Sequence, residues 1–530
     1  MRTRTGDRHR ATPRALAALT MLTIAVVVSQ ASHADNQIAR IDDVLSQSAD
    51  AFGASVAIDG DTAVIGASLD STVEWGTGAA YVYERAANGE WRLATKLLGS
   101  ALFFYDRFGF SVDIDGDTIA IGAPFDGARF PQDGVVYVFD RDAGGPGQWG
   151  ETARILAEDS TSANYFGYAV DVDGDRLLVG APWDGETVIR GGAGYVFERD
   201  RGGAENWGQV AKIRMEGVEF DDQFGSTVAL DGDTALVGAW RDDGRAGSVT
   251  VFERDAGGEN LWGPVTRIED APRSAGDGFG FSVAIQRDVA AIGAYLDAGG
   301  FGSVTLHERD AGGKDSWGLV ERLVGDREGD PGLFGDSVDL ELAPDGDRVF
   351  VGSPFEDPGT GLNSGVAYEF RREAEGGSFV ESGRFSPDPP AFGQFGQDVA
   401  ISGESLLVGA PQDDLTGAVY VYATSYAFLG PGPGTAGAVN EFEVVCATPG
   451  RRSFLAAGVS EGVTPVPRCP DAFVGIRNPV LAGSALAGAD GRARIEVFVP
   501  PAFAGRTVLF QAVDIHSCRV SPLERFHFPE

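Results

Sequence analysis

Residues Phe52–Ser68 read FGASVAIDGDTAVIGAS, and Phe108–Pro124 read FGFSVDIDGDTIAIGAP. Val56 and Ile58 alternate with small or polar residues, the two-residue period of a half-buried strand. Asp59-Gly60 follows as a tight hairpin turn, because Gly accepts a positive φ without steric cost. Ala63-Val64-Ile65 is a continuous apolar run that returns as a buried strand. The same unit starts again at Phe166, Phe224, Phe279, Phe334 and Phe395, with successive spacings of 56, 58, 58, 55, 55 and 61 residues. Self-similarity at that period is the mark of a propeller blade.

The remainder of each unit supplies two more strands. A third is predicted at Ala80–Glu84 and Val136–Phe139, and a fourth follows a Gly-rich turn and a Trp, as at Trp91, Trp149, Trp207, Trp262 and Trp317, with Phe379 in the sixth copy. The fixed place of these rings predicts packing inside the blades. The seventh copy has a third strand, Val419–Tyr422, and no fourth after it. Residues Gln37 to Ile41 precede the first Phe-Gly as a fourth strand would, so they are expected to complete the last blade and close the ring. Closure hides sheet edges that an open array would expose. The expected fold is all-β: a seven-bladed β-propeller over 35–427, a Gly/Pro linker at 428–438, and a small β-sandwich over 439–530.

The Phe-Gly and Gly-Ala-Pro marks, at Phe108-Gly109 with Gly122-Ala123-Pro124, at Phe166-Gly167 with Gly180-Ala181-Pro182 and at Phe395-Gly396 with Gly409-Ala410-Pro411, resemble the FG-GAP repeats of the integrin α-chain head and of bacterial secreted repeat proteins. The resemblance covers residues 37 to 427. It implies an innermost strand that starts at Phe-Gly and a ligand face formed by the loops between second and third strands. Calcium-binding repeats of that family carry a long DxDxDG-type loop. Here the hairpin shortens to Asp59-Gly60-Asp61, Asp115-Gly116-Asp117, Asp173-Gly174-Asp175 and Asp231-Gly232-Asp233. Calcium takes six to eight oxygens, more than a two-residue turn supplies, so no cofactor is expected. Those eight aspartates are the candidates should calcium bind.

Two acidic ladders run through the repeats. One precedes the second-strand Gly by five positions: Asp61, Asp117, Asp175, Asp233, Asp288, Asp347 and Glu404. The other follows it by four: Asp70, Asp126, Asp184, Asp242, Asp297, Glu356 and Asp413. Nine residues of extended chain separate them by up to ~30 Å, which places them on opposite faces. Each has a turn-stabilising reading, with carboxylates accepting backbone N–H bonds. The second has a further one, a carboxylate ring that attracts a basic partner. The same loops carry Trp75, Phe125, Phe130, Trp183, Trp240, Tyr295 and Phe355, joined by Phe103-Phe104-Tyr105 from a preceding loop. Aromatics in loops on a rigid scaffold read either as recognition surface or as packing between blades. The candidate partner residues are therefore Asp70, Trp75, Phe125, Asp126, Phe130, Trp183, Asp184, Trp240, Asp242, Tyr295 and Asp297.

The first 34 residues read as an export signal: Arg2, Arg4, Arg8, Arg10 and Arg14, an apolar run from Ala15 to Val28, and Ser32-His33-Ala34 as the cleavage site. Cleavage removes five Arg and one Asp, so 42 basic and 78 acidic residues become 37 and 77, a net charge of −40. Such a surface repels nucleic acid and anionic membranes. The three cysteines, Cys446, Cys469 and Cys518, permit any of three pairings. Cys469–Cys518 is the expected one, with Cys446 left as a free thiol. No acid/base pair breaks the repeat as a catalytic constellation would. The expectation is a monomeric, non-catalytic, exported binding or adhesion module for an extracellular protein or glycan. A carbohydrate hydrolase and a structural surface protein without a discrete ligand are the alternatives.

Overall fold

The computed structural model describes residues 37–42, 50–86, 90–203, 206–314, 316–325, 331–343, 346–357, 364–372, 376–387, 392–424, 427–429, 435–445, 451–467, 473–487, 493–514, 519–521 and 524–528. The expected signal segment, the three cysteines and the centre of the Gly/Pro linker lie outside them.

Seven four-stranded antiparallel sheets occupy the repeats, each ordered first to fourth strand in sequence except the last. Sheet one is Phe52–Asp59, Thr62–Ala67, Ala79–Arg85 and Trp91–Leu97; sheet two is Ser111–Asp115, Thr118–Ala123, Val135–Gly145 and Gln148–Ile155. Asp59 pairs with Thr62, which leaves Gly60-Asp61 as the turn. Sheet seven takes its fourth strand from the chain's start. Gln37–Asp42 pairs antiparallel with Ala418–Ala423. Even the β-bulge between third and fourth strands recurs there: it follows Val82 in sheet one and Val421 in sheet seven.

The Phe-Gly and Gly-Ala marks follow from how one sheet meets the next. Each Phe is buried to 1% exposure or less, and Phe52, Phe108, Phe166, Phe334 and Phe395 meet third-strand tyrosines edge-on. The following Gly takes φ between +81° and +89° in all seven copies, a conformation that disfavours side chains. Its carbonyl lies against the second-strand Gly of the preceding sheet. A Cβ on Gly66 would come within 2.2 Å of the Gly109 oxygen, and one on Gly409 within 2.0 Å of the Gly53 oxygen. That last contact joins sheet seven to sheet one, so the first strands form a closed cycle.

A second cycle runs through the hairpins. Asp59 Oδ2 accepts from the Gly116 N–H at 2.8 Å, Asp115 from Gly174 at 2.7 Å and Asp173 from Gly232 at 2.5 Å. Asp231 accepts from Arg287, Gln286 from Leu342, Glu341 from Gly403, and Ser402 Oγ from Gly60. Every sheet is thereby tied to the next by one backbone N–H. Four of the eight aspartates raised above as calcium candidates, Asp59, Asp115, Asp173 and Asp231, each place one carboxylate oxygen in this ring.

Beyond it, Ala427–Leu429, Val439–Val445 and Ala493–Phe498 form one sheet, and Val480–Leu486, Arg452–Gly458, Arg506–Asp514, Arg519–Val520 and Glu524–Phe528 another. The two sheets share a core of Phe442, Leu455, Ile495, Phe510 and Phe526. The strands flanking 488–492 belong to different sheets.

Candidate functional site

The hairpin face carries the first acidic ladder. Arg85, Arg141, Arg199, Arg254, Arg309 and Arg372, at the ends of third strands, pair with Asp61, Asp117, Asp175, Asp233, Asp288 and Asp347. Most of these arginines also reach back to an acid on the preceding sheet: Arg141 to Glu84, Arg199 to Asp140, Arg254 to Glu198, Arg309 to Glu253 and Arg372 to Glu308. This ladder clamps the outer part of the ring. Among the described residues no group of three or more His, Cys, Asp or Glu side chains is arranged to hold a metal ion.

The second ladder corrects one expectation. Asp70, Asp126, Asp184 and Asp242 were placed among partner-facing residues; all four are buried. The cause is the strand register, which sets a third-strand hydroxyl opposite a fourth-strand base. Tyr81 faces Lys96, Tyr137 faces Arg154, Tyr195 faces Lys212, Thr250 faces Arg267, Thr305 faces Arg322, Tyr368 faces Arg384 and Tyr420 faces Arg40. In sheets one, two, three and seven the loop acid closes a triad with a tyrosine and the base, and in sheets four and five it pairs with the base alone. Asp70 accepts from the Tyr81 hydroxyl at 2.7 Å and from Lys96 Nζ at 2.5 Å. Asp126 accepts from Tyr137 at 2.9 Å and pairs with Arg154 at 3.2 Å. Asp184 accepts from Tyr195 and Lys212, Asp242 pairs with Arg267, and Asp297, partly exposed, pairs with Arg322 at 3.0 Å. In sheet seven, Asp413 accepts from Tyr420 at 2.5 Å and pairs with Arg40 at 3.5 Å, so the N-terminal strand supplies the triad's base as well as its backbone. Burial raises the Asp70 carboxyl, but bonds from Lys96, Thr72 and Tyr81 outweigh it and the pKa falls. Asp126 stays raised, because burial there exceeds what Tyr137 and Arg154 return.

With these acids interior, aromatic rings dominate the loop face. Trp75 is 61% exposed, Phe103 69%, Phe104 62% and Phe130 46%. Trp75 stacks on Tyr105 at 5.3 Å and meets Phe104 at 5.4 Å. The line continues from Tyr105 to Phe125 at 5.7 Å, to Tyr165 at 5.0 Å and to Trp183 at 4.5 Å. It therefore crosses sheets one to three, a continuity that only the fold creates. Trp240 and Tyr295 form a second group around Phe281. Arginines cover several of these rings: Arg107 lies 4.4 Å from Tyr105 and 4.7 Å from Phe125, Arg190 3.9 Å from Trp183, and Arg245 5.8 Å from Trp240. Phe125, Trp183, Trp240 and Tyr295 are partly buried, so both weighed readings, recognition and packing, describe parts of the same track.

The first strands hold residues that the repeat reading passed over. Asp113, Asp171 and Asp339 stand in mid first strand where sheets one, four, five and seven carry Ala57, Ala229, Ala284 and Ala400. Asp398 lies two positions earlier in its strand. They accept from the next sheet's backbone: Asp113 from Val172 at 2.6 Å, Asp171 from Leu230 at 3.1 Å, Asp339 from Ile401 at 2.8 Å and Asp398 from Val56 at 2.8 Å. Each has some exposed area, yet protein surrounds it. Burial pushes Asp113, Asp339 and Asp398 up to about 7 and Asp171 well above the usual carboxylate range, with neighbouring carboxylates adding to the rise for Asp113, Asp171 and Asp339. The signal was present in the sequence as three Ala-to-Asp departures at one register.

Matches to the FG-GAP repeat cover residues 37–83, 91–139, 149–197, 207–252, 262–305 and 386–422, just over half of the chain. The chain belongs to the FG-GAP repeat family. Its sixth sheet, Val338–Phe385, lies outside the matched segments and still folds with the same strand order. FG-GAP repeats are typical of extracellular proteins. No helix among the described residues is long and apolar enough to cross a membrane. No curated protein sequence matches the chain significantly. Among solved structures, Sqt1 from Chaetomium thermophilum is similar at 15% identity and TM-score 0.43, covering 74% of this chain and 99% of its own. The Pseudomonas aeruginosa periplasmic gluconolactonase is similar at 14% identity and TM-score 0.41, covering 64% of this chain and 86% of its own.

Proposed function

We infer that this FG-GAP protein is a non-catalytic, exported binding or adhesion module. In this reading the seven sheets are the blades of one propeller, the two C-terminal sheets with the shared core form a small sandwich, and a protein or glycan meets the loop face of a monomer. The observation that carries it is the set of solvent-open rings on the loops, Trp75 and Phe104 in contact with each other, with Phe103 adjoining Phe104 in sequence and Phe130 on the corresponding loop of the next sheet. Soluble proteins scatter exposed apolar side chains singly, and a contiguous set marks an interaction surface. The repeated acids support the same reading, because hairpins and triads already employ them.

A glycan-array and pull-down screen with the chain lacking residues 1–34, run beside Trp75→Ala, tests it. Ligands lost in the variant support the reading; no ligand in either format rejects it in favour of a structural surface protein.

A carbohydrate hydrolase is the second reading, and Asp113, Asp171 and Asp339 favour it, since carboxyls raised toward neutrality suit general acids. Their backbone bonds between sheets give them a structural task instead. Turnover of a polysaccharide that Asp171→Asn abolishes would establish the hydrolase.

A further inference from the structure

We propose that the loop face of sheets one and two, around Trp75 and Arg107, binds a sugar chain bearing carboxylates, that is, a uronate-containing polysaccharide. The proposal rests on the binding-module reading and narrows it to one ligand chemistry.

Arg107 is the first observation. In a chain with 78 acidic and 42 basic residues, arginines of the hairpin face and of the loop triads are matched to carboxylates. Arg107 makes no ion pair among the described residues. Its side chain donates to the Tyr105 hydroxyl, and its Nε is buried with no hydrogen-bond partner. Two rings hold the guanidinium in place, Tyr105 at 4.4 Å and Phe125 at 4.7 Å. A planar, pre-positioned guanidinium recognises a carboxylate better than any other anion receptor in the side-chain repertoire.

The second observation is the platform beside it. Trp75 stacks nearly parallel on Tyr105, at an interplanar angle of 12°, yet remains 61% exposed, so its outer face is open. Electron-rich ring faces attract weakly positive C–H hydrogens, and one face of a pyranose presents such hydrogens. Phe104 extends the platform sideways at 5.4 Å. Exposed Glu74 adjoins Trp75 in sequence and the chain is net negative, so a polyanion is opposed at long range, the guanidinium contact acts at short range, and the titration is run at a salt concentration that screens the repulsion.

The shape of the track separates a polysaccharide from a protein. Its solvent-reached part is narrow, with Trp75 and Phe104 open, Tyr105 and Phe125 partly buried, and Tyr165 beyond them buried. A stable protein contact needs about 800 Å² of complementary surface on each side, whereas a single sugar chain fits a strip. An acidic protein segment could meet Arg107 as well, and is therefore an outcome of the test.

The experiment titrates the chain lacking residues 1–34 with a polygalacturonate oligomer, with its carboxyl-reduced form and with polyglutamate, using calorimetry. The oligouronate should bind, and Trp75→Ala and Arg107→Gln should each weaken it by about tenfold or more. Arg107→Lys should give an intermediate loss, since it keeps the charge and removes the fork, and Asp61→Asn on the opposite face should leave binding unchanged. Unaltered melting curves for Trp75→Ala and Arg107→Lys keep the result readable if Arg107→Gln folds poorly. The carboxyl-reduced oligomer should lose as much affinity as Arg107→Gln does. Equal binding of both oligomers, or loss on Trp75→Ala without loss on Arg107→Gln, overturns the uronate assignment and leaves the binding-module reading standing. Polyglutamate binding as tightly, with the same dependence on Arg107, overturns it in favour of an acidic protein. Absence of any oligouronate binding overturns it also, and the glycan-array and pull-down screen then decides whether the broader reading survives.

Discussion

The hairpin face and the loop face each carry a repeated carboxylate, one per sheet, and use it in opposite ways. On the hairpin face Asp61, Asp117, Asp175, Asp233 and Asp288 stand 64–83% exposed while pairing with arginines. On the loop face Asp70, Asp126, Asp184 and Asp413 are at most 3% exposed and complete a triad with a hydroxyl and a base. Exposed pairs gain little, because water screens them and long side chains lose entropy. Buried ones are costly to break, because a charge without its partner stays out of water. The same residue type at the same frequency is therefore a surface clamp at one end of the second strand and a structural keystone at the other.

Deleting residues 35–42 breaks the comparison most severely. It removes a whole fourth strand, and with Arg40 the base of the Asp413–Tyr420 triad. The melting temperature should fall by more than about 10 °C; an unchanged melt would show that the ring does not depend on this strand. Next in size is Asp126→Ala, which leaves Arg154 and the Tyr137 hydroxyl without their shared acceptor. A loss of about 2–4 kcal/mol in urea unfolding is expected, and a loss no larger than that of a hairpin-face variant would erase the distinction between the faces.

The first-strand carboxylates sharpen it from a third position. Asp113 and Asp339 sit at about 7 in the folded chain against an ordinary value of 3.8. A folded pKa above the unfolded one means that the stabilising contribution is complete below about pH 4 and is lost as pH rises through about 7. Asp339→Asn keeps the acceptor for Ile401 N–H and removes one titrating charge. It should raise stability at about pH 8 by ~1–2 kcal/mol and flatten the decline between about pH 5 and pH 8, read from melts across that range. Asp117→Asn, on the exposed hairpin face, should leave the unfolding midpoint within experimental scatter. Adding a chelator should do the same, since Asp59, Asp115, Asp173 and Asp231 are engaged by neighbouring backbone or turns; a chelator-dependent melt would return the hairpins to the ion-binding role of their relatives.

The repeat frame was legible because each of its marks answers a local demand. Gly after Phe is required by a left-handed φ, Asp59-Gly60 by a two-residue turn, and Val-x-Ile by a pleat with one buried side. The pairing of Gln37–Asp42 with the last third strand was legible as well, from a missing element at one end and a spare one at the other. The candidate site was legible in part: Trp75 and Phe130 stand open as loop aromatics can. Asp70, Asp126, Asp184 and Asp242 misled, because periodicity reports the position of a residue along the chain and not which partner lies across the sheet. Tyr81 and Lys96 are 11 and 26 residues away from Asp70; register alone brings them to it.

By itself the sequence determined the class of fold, the number and order of strands in each repeat, and the acidic character of the surface, all properties set by neighbours within a few residues. Only the tertiary structure decided which carboxylates face water, that Arg107 lies against Tyr105 and Phe125 with no ion pair among the described residues, and that Asp113, Asp171 and Asp339 come within electrostatic reach of one another. Those outcomes depend on contacts across strands and between sheets, where burial and the company of other charges, rather than residue type, set what a side chain does.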